Sequence, residues 1–269
     1  MAPILITDLD DPRIAGYRDI RERDLTGRQG LFVAEGEVVL RVLVSGHSRC
    51  RPRSLLLADN RVAALGDIIQ RLDETTPVYC APQAVLDAIA GFHLHRGMLA
   101  LGEKPSPLDP IALLESAVPE AVVLAACGIG NHDNMGGLFR NAAAFGAHAV
   151  LLDDRCCDPF YRKAIRVSVG AVLRTPMASG LDAAAMIAAL HAADFEVLAL
   201  SPAASDRLEA FRPRGKTAIL LGSEGPGLPP ALIARCRPVA IPMAGGFDSL
   251  NVATAGAIAL HHLTRRTDK

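Results

Sequence analysis

Apolar residues follow two different rhythms along the chain. From residue 120 onward, short uninterrupted apolar runs at 122–126, 148–152, 197–200, 217–221 and 238–241 alternate with stretches of helical spacing. A strand that is apolar at every position is buried on both faces, and such strands separated by helices predict a parallel sheet covered on either side. Residues 1–104 are denser in charge and read as a small α/β domain, with candidate helices at 11–24, 37–45 and 82–90 and short apolar strands such as 54–57. Between the two regions, residues 103–110 carry Pro105, Pro107 and Pro110. That density stiffens the chain and denies it a helix or central strand. The expected division is therefore a domain over 1–104, a linker over 105–119 and a second domain over 120–269.

Composition narrows the function classes. The chain has 28 Lys plus Arg against 29 Asp plus Glu, a formal net charge of −1, which excludes nucleic-acid binding by bulk positive charge and leaves room for a local basic face. Aromatic residues make up 4% with no Trp, so no site built mainly from stacked aromatic platforms is expected. Cys50, Cys80, Cys127, Cys156, Cys157 and Cys236 form no CxxC pair, so they read as idle thiols rather than as a disulfide framework or metal ligands, and no metal is expected. The apolar run near the N-terminus is too short for a signal sequence, and no stretch suits a membrane span. A cytoplasmic protein with no membrane partner is the expectation.

Three segments of the second region break the core pattern, each just after a predicted strand, where ligands bind in open α/β sheets. In the first, residues 131–146, Asn131, Asp133 or Asn134 caps a helix whose first turn holds Gly136 and Gly137 and which Gly146 ends. Two such glycines cost about 1 kcal/mol each against Ala, a cost that close approach of a ligand or a second chain would justify. Arg140 lies four residues beyond Gly136, and its guanidinium suits a phosphate; a capped helix with a surface arginine is the bland alternative. The second segment, Gly-Ser-Glu-Gly-Pro-Gly-Leu-Pro at 222–229, lacks the endings of a nucleotide P-loop or dinucleotide fingerprint. Its glycines can wrap an uncharged or zwitterionic ligand, and Glu224 is its one ionisable group, or a solvated turn residue. In the third, residues 241–256, Ser249 caps a helix that carries Leu250, Ala253, Ala257 and Leu260 toward the core. Asn251 is a poor helix former whose amide can serve a ligand or fix a neighbouring loop.

Asn134, Gly136, Arg140, Phe145 and Gly146, then Gly222 to Gly225 with Gly227 and Leu228, then Ile241 to Met243 with Ser249 to Val252, resemble the three motifs of the SpoU (TrmH) family of RNA ribose 2′-O-methyltransferases, within the SPOUT class. The run Arg166-Val-Ser-Val-Gly-Ala171 resembles a further stretch of that family, so the likeness covers residues 121 to about 262. Arg23 with Phe32-Val-Ala-Glu-Gly36 is similar to the opening signature of the small N-terminal substrate-binding domain that members often carry.

The resemblance implies a parallel sheet ending in a C-terminal trefoil knot, preceded by a small α/β substrate-binding domain. It implies S-adenosylmethionine as cofactor, RNA (rRNA or tRNA) as partner, a homodimer, and methylation of a ribose 2′-hydroxyl. By the same likeness Leu200, Gly222, Ile241, Met243 and Leu250 line the cofactor site, and Asn134, Glu224, Ser249 and Asn251 organise the site in which Arg140 engages a substrate phosphate and takes the hydroxyl proton. An arginine stays protonated at any accessible pH, so phosphate positioning is the firmer part of that role. Members often have Asp-Pro or Asn-Pro before the first motif where this chain has His132-Asp133; without an orienting partner in sequence, His132 reads as a loop or capping residue.

The smooth face of Gly136, Gly137 and Ala142 to Ala144 is the expected packing surface for the second chain. The rival reading is a non-catalytic RNA-binding or ribosome-assembly factor that uses Arg13, Arg18, Arg21, Arg23 and Arg28 with Arg49, Arg51 and Arg53 for backbone contacts. Asp11, Asp19, Glu22 and Asp24 make a mixed-charge solvated helix an equal alternative for the first cluster. Intact Arg140, Glu224 and Asn251 favour the enzyme. A nucleotide-dependent oxidoreductase fails for want of the glycine fingerprint and ribose-binding acid.

Overall fold

A computed structural model of the chain describes residues 2–18, 30–91, 94–245 and 249–265. It packs as two compact units, residues 1–105 with 158–174, and residues 106–157 with 175–269.

The first unit is built on a mixed sheet of β1 (Ile4–Leu5), β2 (Leu31–Glu35), β3 (Arg51–Ala58), β4 (Val78–Ala81) and β5 (Met98–Glu103), in the order β1-β4-β3-β5-β2. β4 runs parallel to β1 and β3, and β5 runs antiparallel to β2 and β3. Helices α1 (Glu37–Leu43), α2 (Gly66–Ile69) and α3 (Gln83–Ala90) accompany it. The helix expected over 11–24 is instead a 3-10 helix, Pro12–Tyr17, capped by the Asp11 carboxylate, and Arg18 is already extended. The buried Tyr17 ends it, because its hydroxyl is pinned 2.6 Å from Ser54 Oγ and accepts the Leu101 N–H at 3.1 Å. Arg21, Arg23, Arg28, Asp19, Glu22 and Asp24 lie outside the described residues.

The second unit holds a six-stranded sheet of β6 (Val122–Ala126), β7 (Ala149–Asp153), β8 (Met177–Leu181), β9 (Glu196–Leu200), β10 (Thr217–Leu221) and β11 (Arg237–Val239), all parallel, in the order β11-β9-β10-β6-β7-β8. Every residue of β6, β7 and β10 is buried, as a parallel sheet sandwiched by helices requires. Its helices are α4 (Pro110–Glu115), α5 (His132–Ala144), α7 (Ala183–Ala192), α8 (Pro230–Ile233) and α9 (Val252–Thr264), while α6 (Arg162–Val167) belongs to the first unit.

Several sequence expectations change here. The proline-rich stretch folds in part as α4, because Pro110 occupies the first helical position, where no N–H is needed, and the Asp109 side chain accepts the Ala112 N–H at 2.8 Å. Residues 158–174 do not follow the straight division at 120. Phe160 packs on Phe32 with ring centroids 5.4 Å apart, and Lys104 pairs with Asp158 at 2.7 Å. Ser249 does not cap the last helix. Asn251 does, its Oδ1 accepting the N–H groups of Ala253 and Thr254 at 3.0 and 3.2 Å. The buried face of α9 is accordingly Val252, Ala255, Gly256, Ala259, Leu260 and Leu263, with Leu250 exposed and Ala253 and Ala257 half-buried.

Part of the face expected to meet a second chain is packed within the chain, and Ala144 of that face is exposed. Gly136 and Ala142 are buried, and both glycines fall in the second turn of α5 rather than the first. A Cβ at Gly137 would lie 2.7 Å from the Ala253 Cβ, so the glycine lets α5 and α9 touch backbone to side chain. Asn141 Nδ2 closes that contact by donating to the Ala253 carbonyl at 2.8 Å.

Candidate active site

The carboxyl ends of β6, β9, β10 and β11 lie side by side, since these strands are neighbours and parallel. Their loops and the first turns of α5 and α9 carry the candidate residues. Of the three residues offered as caps of α5, Asn131 does the work, its side chain accepting from Asp133 N at 2.7 Å and Asn134 N at 3.3 Å. The cap aims the buried Asn134 inward, where its Nδ2 donates to Glu224 Oε1. Asn251 Nδ2 donates to Asn134 Oδ1 at 2.8 Å and to the same Glu224 oxygen at 3.3 Å. Because Asn251 Oδ1 is committed to capping α9, its amide has one orientation, and the Asn134–Glu224–Asn251 triangle follows from it.

A cavity of about 270 Å³ opens beside this triangle, lined by residues 128–131, Asn134, Ser223, Glu224 and Val252. Sequence reasoning passed over the residue that shapes its wall. Asp153, buried at the end of β7, accepts the N–H of Gly128 at 2.9 Å and of Arg155 at 3.2 Å, and Cys157 N donates to Ile129 O at 2.8 Å. The signal was present as an aspartate closing an apolar run. Burial pushes the neighbouring Cys156 thiol up to about 12, and burial together with the Asp153 charge pushes Cys127 up strongly, which disfavours the thiolate at both.

Gly222 follows β10 directly. A Cβ there would lie 2.5 Å from both Gly227 C and Leu228 N, so the glycine is required by the loop folding back on itself, closed by Gly227 N donating to Ser223 O at 3.1 Å. Leu200 ends β9 in register with Val239 of β11, and Ile241 and Met243 leave β11 half-buried. Leu250 is 41% exposed, and Ser249 is exposed outside the cavity wall. Arg140 is also exposed, six residues beyond Asn134 and hence on another face of a helix of about 3.6 residues per turn. Within one chain, then, Asn134, Glu224 and Asn251 converge, and the exposed Arg140 lies on another face of α5.

The donor set discriminates among ligands. Residues 222–228, 241–245 and 249–251 contain one ionisable side chain, Glu224, and no base. A nucleotide phosphate would find no counter-charge in these loops, whereas a ligand with a cationic centre finds backbone groups and a carboxylate held by two amides. The sulfonium, adenine and amino-acid parts of S-adenosylmethionine fit that description. Among the described residues no group of three or more metal-ligating side chains comes together.

Comparison with known proteins agrees with the geometry. The model of the SpoU rRNA Methylase family matches residues 121–261. An uncharacterized tRNA/rRNA methyltransferase of Mycobacterium tuberculosis is 37% identical over 97% of this chain and 91% of its own. A crystal structure of an AdoMet-bound rRNA methyltransferase from Sinorhizobium meliloti superposes with a TM-score of 0.81 over 97% of both chains at 24% identity. That of an RNA 2′-O ribose methyltransferase does so at 0.77 over 97% of this chain and 98% of its own, at 25% identity.

Proposed function

The chain belongs to the SpoU rRNA Methylase family, and from that membership we propose that it moves the methyl group of S-adenosylmethionine to a ribose 2′-hydroxyl of structured ribosomal or transfer RNA. The observation that carries the reading is the Glu224 carboxylate, fixed by the Asn134 and Asn251 amides at the carboxyl edge of a parallel sheet. Leu200, Gly222, Ile241, Met243 and Leu250 would hold the cofactor, which supplies the transferable methyl when bound. Glu224 complements its positive charge, and Asn134 and Asn251 keep that carboxylate in one orientation. Ser249, exposed just ahead of the α9 cap, is within the same loop and is assigned to substrate positioning. The reading includes a C-terminal trefoil knot, supported by the return of α9 from edge strand β11 to lie over β6 and β10.

Arg140 enters through a homodimer. Thr254, Ile258 and His261 form an exposed stripe along the outer side of α9, with Ile258 40% exposed. A second copy covering this stripe and the exposed Arg140 would bring that guanidinium to the partner's site, to hold a phosphate beside the reacting hydroxyl. The cysteines, all free, suit a reducing cytoplasm. The non-catalytic reading loses ground because a binding module has no use for the Asn134–Glu224–Asn251 triangle.

The test supplies RNA and methyl-labelled S-adenosylmethionine, then hydrolyses the product in alkali. Ribose 2′-O-methylation removes the hydroxyl that attacks the adjacent phosphate, so label is expected in alkali-resistant dinucleotides; label confined to mononucleotides would overturn the proposal. A monomer by light scattering at micromolar concentration would reject the shared site.

A further inference from the structure

The turn from β6 into α5, residues 127–131, is tied down on two sides. Toward β10, Cys127 N donates to Leu221 O at 2.9 Å. Toward β7, Asp153 Oδ1 accepts the Gly128 N–H at 2.9 Å, Cys156 Sγ accepts the Ile129 N–H at 3.4 Å, and the Ile129 carbonyl accepts the Cys157 N–H at 2.8 Å. Asp153 bears on all three. The oxygen that takes Gly128 also takes the Arg155 N–H at 3.2 Å, folding the turn after β7 so that Cys156 and Cys157 reach the same segment. Asp153 is 4% exposed, and its carboxylate is answered by backbone N–H groups. A carboxylate is costly to bury, and it holds the amides it accepts from more tightly than a neutral acceptor would.

What this turn builds is one wall of a cavity. Residues 128–131 line the cavity of about 270 Å³ together with Asn134, Ser223, Glu224 and Val252. At Gly128, where φ is +65°, a Cβ would stand 3.6 Å from the Ser223 Cβ, so the turn borders the loop that carries Glu224. None of Leu200, Gly222, Ile241, Met243 and Leu250, the residues assigned to the cofactor, lines this space. Its volume also falls short of the roughly 300–1,000 Å³ of pockets for drug-sized ligands, which makes it small for a whole S-adenosylmethionine. Amide, hydroxyl and carboxylate side chains beside the bare backbone of Gly128 and Gly130 suit the hydroxyls of a sugar.

We propose that Asp153 is a positioning residue for methyl transfer: through Gly128 and the turn 127–131 it sets the wall against which the acceptor ribose rests, on the acceptor side of Glu224. The proposal rests on the RNA-methyltransferase reading. Asp153 touches neither ligand, so it acts on orientation, and a reacting group misplaced by about 1 Å can lose about 100-fold in rate.

The test compares Asp153→Ala, Asp153→Glu and Asp153→Asn in steady-state methylation of unmodified ribosomal and transfer RNA transcripts, with thermal melting and calorimetric S-adenosylmethionine affinity measured alongside. Asp153→Ala removes the acceptor, and Asp153→Glu keeps the charge but moves the oxygen by one methylene. Both should lower kcat by up to about 100-fold, with KM for RNA and cofactor affinity near wild type. Asp153→Asn keeps an acceptor at Oδ1 and should restore most of kcat. A merely structural role would weaken cofactor binding in step with the rate. Cofactor affinity that falls with kcat in Asp153→Ala therefore overturns the proposal, as does wild-type kcat in a folded Asp153→Ala or Asp153→Glu variant, or an Asp153→Asn variant as slow as Asp153→Ala. Should neither Asp153→Ala nor Asp153→Glu fold, Cys156→Ala decides, because it frees the Ile129 N–H of the same turn. Lower kcat at unchanged cofactor affinity then supports the positioning, and wild-type kcat overturns it. A wild-type chain that methylates none of the transcripts would overturn the methyltransferase reading itself, and the role of Asp153 with it.

Discussion

At the end of β10 a carboxylate meets two asparagine amides, whereas at the end of β2 a carboxylate meets guanidinium groups. Glu224 remains exposed and its partners are neutral, so its negative charge is available to a ligand. Glu35 is buried and paired with Arg162 and Arg166, so its charge is used inside the unit. The same acid side chain is thus left open to a ligand or closed into the fold according to its neighbours and depth. In the parallel unit the arrangement leaves a carboxylate for a cationic ligand, and in the mixed unit it ties β2 to α6.

The comparison breaks most violently at Gly222. Gly222→Val forces a Cβ against the backbone of Gly227 and Leu228, neither of which can rotate away, and should cost about 3 kcal/mol or more in urea unfolding, with cofactor binding lost in consequence. Unchanged stability would mean that the loop is not closed as described. Next in size is Glu224→Ala, which strands the Asn134 amide in a buried position and should cost about 1–3 kcal/mol. Glu224→Gln separates charge from hydrogen bonding: stability should stay within about 1 kcal/mol of wild type, while S-adenosylmethionine affinity by calorimetry falls. Equal affinities would deny the carboxylate its electrostatic part.

Asn251→Ala removes the cap of α9 and one side of the triangle together, for an expected loss of about 1 kcal/mol. The effect shared by both units appears only at high pH. Burial pushes Cys50 in the first and Cys156 in the second from an ordinary 9.0 up to about 12. Unfolding frees thiols that ionise near pH 9, so their contribution is fully present below pH 9 and is lost as pH rises toward 12. Stability that held level or rose through that window would contradict the burial.

The legibility of the sequence differed with the same physics. β6 and β10 were readable to the residue, because a strand buried on both faces is apolar throughout. The edge strand β8, Met177–Leu181, was not, since its half-exposed positions admit Ser and Gly. Asn134, Glu224 and Asn251 could each be named from the sequence, yet their mutual hydrogen bonds span 27 to 117 residues. Ser249 and Asn251 are both good caps, and only the tertiary bonds of Asn251 choose between them. Gly222 stood out as a glycine of a ligand-wrapping loop, whereas what requires it in the structure is the fold of the loop's own backbone. The packing of 158–174 on the first unit depends on partners such as Phe32 and Glu35, more than a hundred residues away, which no local pattern reports.

The most direct measurement is nucleoside mass spectrometry of RNA incubated with S-adenosylmethionine and the purified chain. The account predicts a new nucleoside carrying one methyl on its ribose with wild type, strongly diminished with Glu224→Gln and with Arg140→Ala. A methyl on the base, or a ribose methyl formed equally well by both variants, would contradict it.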